Sequence, residues 1–533
     1  MRDSMTINAL VFVLLVFGVA GVCRAQVQTL SFVNTTADGD QAQSATTTVQ
    51  SFTAVEGPDL MSRLEAAHAK ARSRTTPYWS AYAFDVRPGV AVDPAIHEFN
   101  GSINSIGDSS VLVGTTAGGV TVETRSLAVF LLREPANNQI TRMEVYNLER
   151  KREYSGYPVY WLSRANNEES LNYLRAIAAA APLDILSERA VVAIALHDDM
   201  RVAGMLKNFI STSPNQRIRS SSTFWLGQVG GEQAFLADMV RNEAEDKKLR
   251  RQAAHAIGAS RDQTSLATLQ SLYDTIKDVE LHRSIVQAAS NVQPSESAFA
   301  FLLNVSKTDP DLESRRIAVR QMGHFEGDRT ADELIRIYQS ETNLDLRRTA
   351  LRSLSETKSA KAQTRLWELA RSEPNIELRR TAIRVLADSG REASIAGLIK
   401  LYDAESVPDI RSSILRALSD VKGTQVEDKL FDVARNDSSM DLRRQAIRLL
   451  GERATKRSLE FLSTTAQSPD SNAEVQVQAV RAIGDRHSEE VVPLLIKIAK
   501  THPNQLVRKQ AMRSLGESGD PRAVEFFREV LMK

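Results

Sequence analysis

The chain has 533 residues, of which 67 are Lys or Arg and 66 are Asp or Glu, giving a formal charge of +1. That balance excludes the basic excess on which polyanion binders depend, so nucleic acid is not an expected partner. A single cysteine, Cys23, leaves no pair for a disulfide framework.

Residues 1–25 read as a cleaved secretory signal. Arg2 stands in a short head, an apolar run covers Ala9 to Val22, and Cys23-Arg24-Ala25 offers a cleavage point before Gln26. The run spans 14 residues, too few for an ordinary membrane-crossing helix, and no later segment is apolar enough to cross a bilayer. An acylated start at Cys23 is disfavoured by Val22 just before it. Removal takes away Arg2, Arg24 and Asp3, leaving zero net charge. The expected address is periplasmic or extracellular. Residues 26–57 follow as a leader, rich in Ser, Thr, Gln and Asp from Ser31 to Thr53 and expected to be flexible.

Residues 58–165 read as a small β-rich domain with an initial helix over Pro58 to Arg72. Tyr78 to Val86 alternates in strand fashion, and Val120 to Thr124, Leu127 to Leu132, Ile140 to Asn147 and Pro158 to Leu162 carry β-branched and aromatic runs. With no helix-sized crossover between them, the strands are expected to pair mainly antiparallel. Asn100-Gly101-Ser102, Gly107 and Gly118-Gly119 mark turns and lack the strand-loop-helix context of a phosphate loop.

Residues 166–533 are helical and periodic. Arg189, Arg219, Arg250, His282, Arg315, Arg347, Arg379, Arg411, Arg443, Gln476 and Arg508 recur every 30 to 33 residues in one apolar frame. Relative to each anchor, positions −1 (Leu378), +3 (Ala382), +4 and +7 (Leu386) fall on one helical stripe. Position +8 is small in ten units, among them Gly227, Gly323, Gly451, Gly484 and Gly516, which suits a left-handed helix cap. A second amphipathic segment follows each time, and loops such as Glu373-Pro374-Asn375 separate the pairs. The expected fold class is mainly α: a solenoid of about eleven helix pairs behind a small antiparallel β-rich domain.

Segments such as Leu346-Arg347-Arg348-Thr349-Ala350-Leu351-Arg352-Ser353-Leu354 and Leu442 to Gly451 resemble bacterial HEAT repeats of the short, phycobilin-lyase-like type. The resemblance covers about Leu183 to Lys533 and implies a superhelix with the arginine-bearing helices on its concave side. It also implies that an acid six residues before each anchor pairs with it: Asp309 with Arg315, Glu341 with Arg347, Glu373 with Arg379, Glu405 with Arg411, Asp437 with Arg443, and Asp470 facing Gln476. Helical geometry independently turns the anchors inward, where an unpaired charge costs several kcal/mol. The anchors are thus expected to be structural. Joints at His282 and Gln476, lacking the guanidinium, are expected to stack more loosely.

The binding candidate is a second column five residues after the anchor: Arg320, Arg352, Arg384, Arg416, Arg448, Arg481 and Arg513, flanked at +1 by Arg316, Arg348, Arg380, Arg444 and Lys509. It faces away from the apolar stripe and would suit an acidic protein segment or an anionic envelope component. Against this, Glu356, Asp388, Asp420, Glu452, Asp485 and Glu517 stand four residues after six of these arginines, so i, i+4 pairing would neutralise the face.

Catalytic signals are weak. The eight histidines show no metal spacing, no nucleophile elbow occurs, and the one His-Glu dipeptide, His97-Glu98, lies outside the array. No catalytic residue, metal or cofactor is expected. Trp225 and Trp367 are read as core and His197-Asp198-Asp199 as a solvated turn. Phycobilin attachment is cytoplasmic in the resembled family, which the signal contradicts, and fold does not carry function across. The expectation is an exported, non-enzymatic scaffold binding another protein through its concave helix face. The rivals are a ligand- or glycan-binding β domain on a solenoid spacer and an envelope enzyme.

Overall fold

A computed structural model describes residues 52–532 except 93–98, 107–108, 118–119, 122–123, 125, 151, 153, 181–183, 261, 293–295, 454, 470–471 and 487–488. The signal, most of the leader, His97-Glu98, Asp470 and His487 therefore lie outside the described residues. The chain divides into two compact units, Met1–Asp262 and Gln263–Lys533.

The first unit opens with β1 (Thr53–Ala54), α1 (Leu60–Ala71), β2 (Tyr78–Ala83), β3 (Val90–Val92), β4 (Phe99–Ile106), β5 (Ser109–Ala117), β6 (Val120–Thr121), β7 (Leu127–Arg133), β8 (Ile140–Asn147) and β9 (Val159–Arg164). One sheet runs β1-β9-β2-β7-β8 and the other β3-β5-β4, with β6 paired to β5. Most pairs are antiparallel, but β9 runs parallel to both β1 and β2, so the main sheet is mixed. The cause is the connection from β8, which must cross the sheet to enter β9 in that direction. It lays Tyr154 on Phe130, with ring centroids 5.0 Å apart. That layer, with Trp79, Tyr146 and Phe52, buries one face of β2. Helices bury the other face.

Those helices are α2 (Asn167–Ala180) and α3 (Asp184–Ala195). His197, just past α3, is buried, corrects the expected solvated turn, and joins the sheet to the helices. Its ring stacks on Phe84 at 4.1 Å between centroids, its backbone bridges Val86, its Nδ1 meets the Ala193 carbonyl at 2.7 Å, and its Nε2 meets Ser170 Oγ at 2.7 Å. A polar triplet reads as a turn only when no distant aromatic covers it. Burial pushes the imidazole down to about 4.

Eleven anchor helices are described, beginning with α3. The first unit adds Gln216–Val229 and Lys247–Ala259. The second holds Val279–Asn291, Leu312–Met322, Leu344–Glu356, Ile376–Asp388, Pro408–Ser419, Met440–Glu452, Ala473–Gly484 and Gln505–Glu517. Their starts follow from the loops: Asn343, Asn375 and Asn504 accept from backbone N–H groups of the first turn, and Pro408 occupies a first-turn position where its missing N–H is harmless. Within each unit successive anchor helices pack on one another in one layer, with their partner helices in a second, so the expected α-solenoid architecture holds.

The small +8 position has a different cause from the one expected. Gly227, Gly451 and Gly484 lie inside their helices rather than in left-handed caps. A Cβ on Gly451 would sit 2.8 Å from the Ala482 Cβ of the next anchor helix. Glycine there permits the close approach of successive repeats.

Two measurements check these readings. Gly451→Ala should lower stability by about 1–3 kcal/mol through overpacking, whereas Gly516→Ala, with nothing within 4 Å, should raise it by roughly 0.5–1 kcal/mol through helix propensity; urea unfolding of both variants reads the opposite signs. For His197, burial holds the folded ring at about 4, below its ordinary 6.5, so between those pH values the unfolded chain holds more protons. Stability is fully present above pH 6.5 and falls by about 3 kcal/mol on acidification to pH 4. His197→Gln should start lower at pH 7 and show a flatter pH dependence in that window.

Candidate interaction surface

Five anchor guanidinium groups, those of Arg219, Arg315, Arg347, Arg379 and Arg411, close joints between consecutive repeats. Arg315 pairs with Glu341, Arg379 with Glu405 and Arg411 with Asp437, while Arg347 reaches Glu373 at 3.6 Å. In the first unit Arg219 pairs likewise with Glu245. The partner is thus the acid that opens the next anchor loop, not the acid six residues upstream of the same anchor. This corrects the register that the family resemblance implied for Arg315, Arg347, Arg379 and Arg411. For Arg443 the corresponding acid, Asp470, lies outside the described residues.

Each acid serves two loops at once. One oxygen accepts from the backbone N–H two residues on, as Glu341 does from Asn343 at 2.8 Å, Glu405 from Val407 at 2.8 Å and Asp437 from Ser439 at 2.8 Å. The other takes the guanidinium from the preceding repeat. Burial alone would push the Glu341 carboxyl up, but the Asn343 N–H and Arg315 outweigh it and hold it below the ordinary value.

The anchors fall into two seatings. Arg315, Arg379 and Arg443 donate Nε to the carbonyl nine residues earlier, at 2.9, 3.0 and 3.1 Å. Arg347 and Arg411 instead lie over Tyr338 and Tyr402, 4.4 Å from each ring centroid. Those phenols donate to Glu373 and Asp437, both at 2.6 Å. Tyr273 does the same for Asp309, the acid expected to serve Arg315. Sequence reasoning missed these tyrosines, which recur only in every second repeat.

The two joints expected to be loose hold substitutes. His282 stacks on Tyr273 at 4.7 Å and bonds the Ile276 carbonyl, while Arg283 makes a bidentate bridge to Asp311, 2.8 Å on each arm. Gln476 donates to the Ser468 carbonyl at 2.7 Å. The first anchor docks on the sheet instead: Arg189 donates to the Met143 carbonyl at 2.7 Å and to buried Glu144 at 2.6 Å.

Outside the clamps, the +1 basic residues are occupied. Arg348 pairs with Asp345 at 3.0 Å and with Glu377 of the next anchor helix at 3.7 Å; Arg380 pairs with Glu377 at 2.8 Å and Asp409 at 3.6 Å. Arg444 bridges Asp441 and Glu474, and Arg316 reaches Glu313. Exposed pairs of this kind add little stability, but those of Arg316, Arg348, Arg380 and Arg444 together neutralise that edge.

The +5 column behaves differently. Arg320, Arg352, Arg384, Arg416, Arg448, Arg481 and Arg513 are all exposed on the anchor-helix layer. Of the expected i, i+4 pairs, Arg448 with Glu452 and Arg513 with Glu517 form. Among the described residues, the other five arginines have no ion pair. Beside the first turns runs a further series that sequence reasoning missed: exposed Val279, Leu312, Leu344 and Ile376, each three residues before its anchor.

Elsewhere the polar clusters are structural. Ser170 and His197 have the spacing of a nucleophile and its base, yet both are buried and the second ring nitrogen is committed to a carbonyl. Buried Arg133 donates to Ser80 Oγ at 3.1 Å, to Asn138 Oδ1 at 2.9 Å and to the Tyr173 hydroxyl, all neutral acceptors. Burial pushes the nearby Tyr78 phenol up to about 12. Trp225 is buried, whereas Trp367 is half-buried and packs its ring where a Cβ on Gly397 would sit. Among the described residues no three His, Cys, Asp or Glu side chains gather as a metal site, and no helix is long and apolar enough to cross a membrane.

Residues 299–375 and 469–533 match the family model for HEAT repeats. No curated protein matches the chain in sequence. Solved structures similar to it include human deoxyhypusine hydroxylase in complex with glycerol, at 16% identity over 47% of this chain and 96% of that one, TM-score 0.23. The complex of CpcE and CpcF of phycocyanin lyase from Nostoc sp. PCC7120 is similar at 15% identity over 48% and 96%, TM-score 0.25. Kap121p bound to Pho4p is similar at 12% identity over 66% of this chain and 46% of that one, TM-score 0.36. This chain therefore spans less than half of that karyopherin.

The clamp register is directly testable. Arg379→Met strands buried Glu405 and should cost roughly 3–5 kcal/mol. In double-mutant cycles by urea unfolding, Arg379→Met with Glu405→Gln should show coupling of about 1–3 kcal/mol, and Arg379→Met with Glu373→Gln close to none. The reverse order would restore the within-repeat register.

Proposed function

We propose that this protein is an exported, non-enzymatic scaffold that holds another protein against the anchor-helix layer of residues 263–533. One observation carries the reading: outward positions repeat in register from helix to helix on a layer whose joints are closed by buried ion pairs. Side chains so placed keep fixed spacings, which favours recognition of an extended surface over capture of a small molecule. Successive anchor helices pack directly on one another, and the likeness of residues 299–375 and 469–533 to HEAT repeats supports their lining the concave side. The apolar run at residues 9–22 supports export. A non-enzymatic role is supported by the polar clusters outside the array, which are buried and committed to structural bonds.

A photocrosslinking residue tests the face. Placed singly at 352 or 384 on the anchor layer, or at exposed 336, 364 or 400 on the partner layer, it should capture the same protein only from the anchor layer. Capture confined to the partner layer would overturn the assignment.

A further inference from the structure

Resting on that scaffold reading, we propose that Arg320, Arg352, Arg384 and Arg416 form a track for an extended acidic segment of a partner protein, with carboxylates at every third residue. The four stand at the same position of consecutive anchor helices, all exposed. Among the described residues none has an ion pair, in contrast to the basic groups around them. Arg315, Arg379 and Arg411 are spent on the clamps, and Arg316, Arg348 and Arg380 on first-turn acids. Among the described residues, each of these four anchor helices thus keeps one guanidinium without an ion pair.

Spacing selects the occupant. Packed helices lie about 8–10 Å apart, and a segment in the extended polyproline II conformation rises about 3.1 Å per residue with three residues per turn, so every third side chain returns to the same face about one repeat further on. Guanidinium groups favour carboxylates because their planar donor fork fits two oxygens.

Neighbouring acids narrow the choice further. Glu356, Asp388 and Asp420 are exposed four residues after three of the four arginines. A uniformly charged polyanion, such as an acidic glycan, would meet these carboxylates between the arginines. A segment whose acids are separated by neutral residues would not. With the chain as a whole near neutral, attraction is local and depends on register.

The experiment uses the full chain and fluorescein-labelled peptides of about twelve residues, long enough to span four repeats at that rise. One repeats Glu-Ser-Ser; the other has the same composition with its glutamates contiguous. Anisotropy should show the spaced peptide binding about tenfold more tightly, with an affinity that falls as salt rises. Arg352→Glu with Arg384→Glu should abolish that binding. Arg513→Glu, which removes an arginine already paired with Glu517 and outside the track, should leave it unchanged. Circular dichroism confirms that the reversed variant is folded, as exposed substitutions permit.

Equal binding of the two peptides, tighter binding of a heparin oligosaccharide, or binding indifferent to the Arg352/Arg384 reversal would each overturn the track. If the spaced peptide fails while crosslinks at 352 and 384 still capture a protein, the partner's chemistry is wrong and the scaffold reading survives. Failure of both removes the scaffold reading as well.

Discussion

A guanidinium that reaches forward into the next loop is the constraint on which the helical array depends. Arg379 touches three pieces of chain: its own helix, the Ala370 carbonyl ending the preceding helix, and Glu405 in the loop that starts the next repeat. Glu405 in turn holds the Val407 N–H, fixing where the following helix begins. Because neither charge can be withdrawn from the buried pair without stranding the other, orientation at one joint is transmitted to the next. Stability in such an array is a sum of repeat and interface terms, and these pairs put much of the specificity of the sum at the interfaces.

The substitutes at irregular joints show what the clamp must supply. Where His282 replaces arginine, the imidazole still meets a carbonyl and an aromatic ring, and the forward charge pair moves one residue along to Arg283 and Asp311. Where the next loop offers Ser213 in place of the clamp acid, Arg189 finds Glu144 in the sheet. Ser412 and Gln445 exchange two hydrogen bonds where a charged +1 residue is missing, as Ser220 and Gln252 do in the first unit. At these places a donor still leaves its own repeat, and side chains of different type supply it.

Period, helix frame and the inward turn of the anchors were legible because each depends on residues close in sequence. The pairing register was not, and the period itself hides it: in a 32-residue repeat the acid six before one anchor is also the acid 26 after the previous one, so composition cannot choose between them. Glycine at +8 was ambiguous for a similar reason, since a left-handed cap and a close helix contact both select a small residue. Only the backbone of Gly451 and the Ala482 methyl facing it separate the two causes. His197 was misread because its covering partner, Phe84, is remote in sequence. The mixed sheet depended on a crossing loop whose length gives no direction.

Separating three classes of arginine changes what the charge pattern means. Counted along the sequence, the acids nearly equal the bases, and a self-neutralised surface is the economical description. In the folded array neutralisation is uneven. Buried acids take the clamp anchors and first-turn acids take Arg316, Arg348, Arg380 and Arg444, while among the described residues only Arg448 and Arg513 of the +5 column hold the acid one turn later. A near-zero net charge and a patterned face are compatible because pairing is decided by helix geometry: the +1 position lies beside the next helix's first turn, and the +5 position looks away from it. A surface of this kind has little long-range pull. Under the proposed function its selectivity would come from the distance between repeats, which the buried clamps hold constant.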